Sequence, residues 1–255
     1  MISVIIPAYN EEKVLPETLR RLFQQRGDYE VIVVDGESTD RTVGIVEEML
    51  GKGQGARGER QGRMRLSESP SSLADSLVPR ASRLLHATKG RASQMNAGAN
   101  HARGELLLFL HADTILPEGA IRRLNRMETD ESVQAGGFMH RFSGSDWRLA
   151  LISFLDNFRC IRSRIIYGDQ GLFVRRSLFA QVGGFPDQPI LEDVAFCEKL
   201  LRVTKPILLD PPVLTDPRKF VQMGIWRSFA RVLLIILYVQ FRLPVLPRAF
   251  FQDIR

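Results

Sequence analysis

Ile2-Ser3-Val4-Ile5-Ile6-Pro7-Ala8-Tyr9-Asn10-Glu11 and Val31-Ile32-Val33-Val34-Asp35-Gly36-Glu37-Ser38-Thr39-Asp40 decide how this chain folds. Each is a short apolar run, rich in β-branched residues, that ends abruptly in polar side chains. Between them Leu15, Leu19, Leu22 and Phe23 recur at helical spacing, and a second helical stretch ends near Leu50. Leu84–His86 and Leu106–Leu110 are further strand-like runs flanked by helical segments. Strands alternating with helices predict parallel βαβ units with helices on both faces of the sheet. The expectation is an α/β fold with a mostly parallel, Rossmann-like sheet and a C-terminal helical extension.

Farther on, Ser145 or Asp146 is a candidate N-cap for a helix with Trp147, Leu151, Phe154, Leu155 and Phe158 along one face. Residues 170–175 read as a strand, Glu192–Leu201 as a helix, and Pro206–Asp210 as another short strand. Residues 51–82 break the pattern with Gly51-Lys52-Gly53-Gln54-Gly55 and Ser67-Glu68-Ser69-Pro70-Ser71-Ser72. Little there can enter a core, so they read as a mobile basic insertion, either a solvated loop or an arm that meets phosphates.

At 255 residues, 44% hydrophobic and 25% charged, the chain has globular proportions, which exclude disorder as the main state, collagen and a polytopic membrane protein. Its net charge of +6 divides unevenly: −5 over residues 1–51, +6 over 52–91, −1 over 92–201 and +6 over 202–255. A charge confined to two segments does not call for a nucleic-acid partner. Cys160 and Cys197 form no CxxC and no metal spacing, as in a reduced cytosolic chain. The N-terminus has no basic n-region and reads as a first strand, not as a signal peptide.

Val232 to Val239 is apolar throughout, followed by Phe241, Leu243, Val245 and Leu246 and bracketed by Arg227, Arg231, Arg242, Pro244 and Pro247. A bilayer span takes about 20 apolar residues, so residues 225–251 form either an interfacial helix at the inner face of the membrane or a helix docked on protein. The accompanying basic excess favours the membrane surface.

Four polar clusters stand at predicted element ends, where open α/β sheets bind ligands: Pro7 to Glu11, Asp35 to Asp40, His111-Ala112-Asp113, and Glu192-Asp193. Converging carboxylates suggest a divalent cation, Mg²⁺ or Mn²⁺, holding a phosphate. Singly they have plainer readings: Asp40 as a helix cap, Glu192 as a complement to a helix dipole. The chain lacks a GxGxxG after its first strand, a GxxxxGK[ST] and a GxSxG, so dinucleotide oxidoreductases, P-loop NTPases and α/β-hydrolases lose their signatures.

Ile5 to Glu11, Val33 to Asp40 and the strand ending at His111-Ala112-Asp113 together resemble the family 2 glycosyltransferases of GT-A fold. Gly90-Arg91-Ala92-Ser93-Gln94-Met95-Asn96-Ala97-Gly98-Ala99, Gly168-Asp169-Gln170 and Leu191-Glu192-Asp193 match a small bacterial branch with HAD in place of DxD. The resemblance runs from residue 1 to about 205. It implies a GT-A-like domain over 1–215 and a helical, membrane-surface segment over 216–255. It implies metal-dependent, inverting transfer of a sugar from a nucleotide-sugar donor, UDP-linked, to a hydroxyl acceptor, a lipid or a glycan.

By that resemblance Pro7, Tyr9, Glu11 and Asp35 line the nucleoside pocket and Ala112 adjoins the donor. Arg91 meets the diphosphate, Asp113 is the last carboxylate of the metal motif, and Asp193 is the general base. His111 replaces the first Asp of that motif and is either a metal ligand or a contact to the sugar. Arg218 and Lys219 are placed to close over the diphosphate. Asp169 and Gln170 are candidates for the sugar or acceptor. Tyr167 and Trp147 either stack on a sugar or pack in the fold, and His140 reads as structural. Two other readings use the same architecture: a catalytically degenerate nucleotide-sugar-binding protein in a membrane-associated assembly, and a nucleotidylyltransferase, whose Gly-rich, Arg-containing first loop is missing.

Overall fold

The computed structural model describes residues 1–61, 79, 81–188 and 190–241. Eight strands, β1 (Ile2–Ala8), β2 (Tyr29–Asp35), β3 (Ser82–His86), β4 (Leu106–Phe109), β5 (Thr114–Ile115), β6 (Ala135–Phe142), β7 (Leu172–Arg175) and β8 (Ile207–Thr215), form one sheet ordered β3-β2-β1-β4-β7-β6-β8-β5. The helices are α1 (Leu15–Phe23), α2 (Thr42–Gln61), α3 (Arg91–His101), α4 (Ala120–Glu128), α5 (Trp147–Ser163), α6 (Arg176–Gln181), α7 (Glu192–Leu200), α8 (Arg218–Gln222) and α9 (Ile225–Phe241). The β3-β2-β1-β4 half is parallel; β7 pairs antiparallel with β4 and β6, β6 pairs parallel with β8, and β5 closes antiparallel on β8. This is the expected α/β architecture: a mixed, mostly parallel sheet flanked by helices.

The apolar runs are continuous because both faces of the parallel half are covered. Val4, Ile6, Val31, Val33 and Leu108 face Leu15, Leu19 and Leu22 of α1, Val46 of α2, and Ile121 and Leu124 of α4. The alternate residues Ile5, Ile32, Val34, Leu107 and Phe109 face α3 and the rings of Phe179, Phe185 and Phe196. The side of β1 toward β2 and β3 is built before α3 crosses to β4. The chain therefore reverses between β1 and β4, and the crevice at their carboxyl ends is where such sheets bind ligands.

Short elements β5, α6 and α8 add to the sequence reading, and three longer ones depart from it. Helix α2 runs on through Gly51 to Gln61, because propagating an existing helix gains one hydrogen bond per residue even where propensity is poor. Residues 62–78 and 80, the rest of the expected insertion, lie outside the described residues. Strand β6 was not anticipated: its Gly136-Gly137 pair suppresses the β-branched signal. Glycine is nonetheless required there, because a Cβ at Gly136 would come within 2.4 Å of Phe173 and 2.5 Å of the Ile207 carbonyl. Strand β8 continues five residues past Asp210 to Thr215.

Among the described residues no helix is long and apolar enough to cross a membrane. Ile225, Phe229 and Phe220 pack with Phe142, Leu149 and Ile152, so the inner side of α9 rests on α5 and β6. Residues 242–251 of the expected interfacial segment lie outside the described residues.

Candidate active site

A cavity of about 340 Å³ opens at the carboxyl ends of β1 and β4. Pro7, Tyr9 and Glu11 reach it from the end of β1, and His111, Ala112 and Asp113 from the end of β4. Arg91 enters from the first turn of α3, and Asp193 from the first turn of α7. Residues far apart in sequence thus share one wall.

Asp35 is not on that wall. It is buried; its Oδ2 accepts from the Glu37 and Ser38 amides (3.1 Å each), and its Oδ1 has no hydrogen-bond partner among the described residues. Gln94, which does line the cavity, donates to the carbonyls of Ala8 and Val34 and ties the ends of β1 and β2 together. The loops beyond those strands are latched to each other. Asn10, in the left-handed region at φ 54, accepts from the Thr39 amide at 2.8 Å. Asp40 Oδ1 accepts from the Thr42 amide (2.9 Å) at the start of α2, so this carboxylate is structural.

Cations line the cavity as well. Gly90, at φ 146, precedes α3, and both Gly90 and Arg91 line the cavity at that helix's N-terminus. Lys89 Nζ stands 4.0 Å above the Tyr9 ring. From α8, Arg218 pairs with Glu11, while Lys219 Nζ lies 3.1 Å from Glu11 and 4.0 Å from Asp113. Burial, and then the charges of Arg91 and Lys219, hold the His111 pKa well below its ordinary value, so the imidazole is neutral and able to accept. Gly168 packs against that ring; a Cβ there would lie 2.3 Å from His111 Nε2.

Leu191, at φ 57, turns the chain into α7 and sets Glu192 and Asp193 in its first turn. Asp193 Oδ2 accepts from the Gly168 amide (2.7 Å) and Oδ1 from the Val194 amide (2.8 Å). Glu192 lies 3.7 Å from Arg91. Asp169 follows Gly168 on the same wall, with its Oδ2 3.7 Å from Nε2 of the buried His140. Burial and the charges of Asp156, Asp113 and Asp193 push the Asp169 carboxyl up to about 6, against the attraction of His140. Tyr167 also lines the cavity, with Arg159 seated over its ring at 3.7 Å. Trp147 does not line it: this residue stands on the outer face of α5 and is 67% exposed.

Among the described residues no group of three or more His, Cys, Asp or Glu side chains is arranged to hold a metal. Asp113 and the neutral His111 are a small donor set, suited to a divalent ion that takes its remaining ligands from substrate phosphates. Sequence reasoning passed over Lys89 although it adjoins Gly90-Arg91. It also missed Asp216, Met223 and Arg231, which line the cavity only because the C-terminal segment folds back over it. No local pattern signals that closure.

The profile of the family described as Glycosyl transferase family 2 matches residues 3–66 and 71–184. The chain is 32% identical over 127 residues to an undecaprenyl-phosphate 4-deoxy-4-formamido-L-arabinose transferase of Pseudomonas fluorescens, covering 48% of this chain and 31% of that one. It spans less than two thirds of the length of such curated relatives. A mannosyltransferase of Pyrobaculum calidifontis, solved with GDP-Man and Mn²⁺, superposes with a TM-score of 0.63 at 23% identity, covering 99% of this chain and 67% of that one. S. aureus TarS 1-349, solved with UDP-GlcNAc, gives 0.60 at 22% identity, covering 84% and 58%. At such identities the superpositions show the fold, which is GT-A-like.

Proposed function

The chain belongs to glycosyl transferase family 2, and on that premise we propose that it moves a sugar from a nucleotide-sugar donor, UDP-linked, to a hydroxyl acceptor with inversion at the anomeric carbon. One observation carries the reading: Tyr9, Arg91, Asp113 and Asp193, supplied by four separate segments, line a single cavity at the switch point of the sheet. The relatives and neighbours that carry nucleotide sugars or sugar-transferase names support it.

In this reading residues 1–215 form the transferase domain and residues 216–255 a C-terminal helical, membrane-surface segment, of which Asp216, Lys219 and Arg231 line the cavity. Tyr9 and Pro7 receive the nucleoside, and Asp35, behind that wall, holds the Glu37–Ser38 turn through its Oδ2. Arg91, Lys219 and the α3 amides neutralise the diphosphate as it leaves. Asp113 would hold Mg²⁺ or Mn²⁺, with His111 as a second ligand or a contact to the ribose. An ion held there would supply Lewis acidity toward the diphosphate.

Asp193 is fixed by two backbone amides, and each carboxylate oxygen keeps a lone pair that no amide occupies. It removes the acceptor proton as the hydroxyl attacks opposite the leaving group. No covalent intermediate is required. The test is turnover of nucleotide sugars with candidate acceptors, reading nucleoside diphosphate release and, by NMR, the anomeric configuration of the product. An inverted product supports the proposal; a retained configuration removes Asp193 as base.

A further inference from the structure

A surface helix normally buries one face and turns polar side chains to water. Helix α5 does not. Leu149, Ile152, Ser153 and Cys160 are buried, yet Trp147 (67% exposed), Leu151, Phe154 (65%), Leu155, Phe158 and Ile161 cover the outer side. Helix α9 repeats the pattern: Ile225 and Phe229 pack inward, while Trp226, Leu233 and Leu234 stand about half exposed. The two outer faces are continuous, since the Trp147 and Trp226 rings meet edge to face with centroids 6.2 Å apart. Contiguous exposed apolar surface of this kind marks a docking site.

We propose that the outer faces of α5 and α9 form one surface that lies on an anionic lipid bilayer. The charge pattern selects that occupant. Helix α9 carries no acidic residue, and Arg227 is exposed beside Trp226. The one carboxylate of α5, Asp156, is tied to Arg159 at 2.9 Å and largely covered. Arg162 is exposed, with its guanidinium 6.0 Å from the Phe158 ring. Aromatic rings backed by arginines suit the boundary between headgroups and acyl chains, and residues 202–255 carry a net +6. The same two helices border the cavity, since Phe220, which lines it, packs with Leu149 and Ile152 of α5 and Ile225 of α9. The docking face extends the membrane contact expected of residues 225–251 to a helix from the middle of the chain.

The chain's two tryptophans, Trp147 and Trp226, both lie on this face and report on it without labels. Vesicles of phosphatidylcholine with phosphatidylglycerol should shift their emission to the blue, and brominated acyl chains should quench it. Binding should be roughly tenfold weaker on phosphatidylcholine alone. Phe154→Glu with Phe158→Glu should weaken binding roughly tenfold or more. Leu151→Ser with Phe154→Ser serves should that variant not fold.

No blue shift on anionic vesicles would overturn the proposal, as would binding unchanged by both variants. So would a dimer in sedimentation that Phe154→Glu dissolves and vesicles do not displace. The transferase reading is scored separately, by whether nucleotides raise the melting temperature of the same variants.

Discussion

Asp193 and Asp169 flank Gly168 on the cavity wall and differ in what holds them. Asp193 accepts two backbone amides, whereas Asp169 Oδ1 is buried without a hydrogen-bond partner among the described residues, and its carboxyl is raised to about 6. Asp193→Asn should remove transfer while leaving nucleotide affinity within about twofold; equal loss of both, by activity and calorimetry, would end its role as base. Asp113→Ala should abolish the Mn²⁺ dependence of nucleotide binding, and unchanged dependence would move the ion elsewhere. Asp169 makes a pH prediction. Its native pKa lies above the unfolded value of 3.8, so the native state keeps a proton that the unfolded chain has lost. Its contribution to stability is full below about pH 4 and falls as pH rises through about 6. Melting scans should therefore find Asp169→Asn gaining on wild type as pH climbs from about 4 to about 7; a constant difference would contradict the shift.

At the scale of elements, α3 is pressed onto the sheet with Arg91 and Gln94 of its first turns lining the cavity. A Cβ at Gly98 would lie 2.4 Å from Ile5 and 3.1 Å from Val34. Gly98→Ala should cost about 1–3 kcal/mol. Gly44, exposed in α2 with nothing within 4 Å of its missing Cβ, gives the opposite sign: Gly44→Ala should gain about 0.5–1 kcal/mol. Denaturant melts check both, and a neutral Gly98→Ala would mean that α3 can lift. The same packing explains what the chain disclosed in advance. β1, β2 and β4 are legible because strands buried on both faces must be apolar throughout. β6 is hidden because its neighbours Phe173 and Ile207 leave room only for glycine at Gly136. Tyr9, Arg91, Asp113 and Asp193 were readable because they sit at element ends beside local punctuation. Asp216, Met223 and Arg231 were not, since their place depends on how a distant segment folds back. Asp35 was placed on the wall and lies behind it, because Gln94 spans the gap between β1 and β2.

For the whole molecule, the sheet supplies a crevice, the C-terminal segment closes it, and an apolar flank adjoins its mouth. Both signs of charge line that crevice: the carboxylates Asp113, Asp169 and Asp193 stand among Arg91, Lys89 and Lys219, with Lys219 4.0 Å from Asp113. A ligand that joins phosphate charge to sugar hydroxyls matches that mixture. The most direct measurement is a thermal-shift series of nucleoside diphosphates and nucleotide sugars, each with and without Mn²⁺, on the full chain. Binding to the native state raises its stability by mass action. The account predicts that a uridine diphosphate or its sugar conjugate raises the melting temperature, more so with Mn²⁺, and that Asp113→Ala erases the metal's increment. No rise with any nucleotide, with or without the ion, would contradict it.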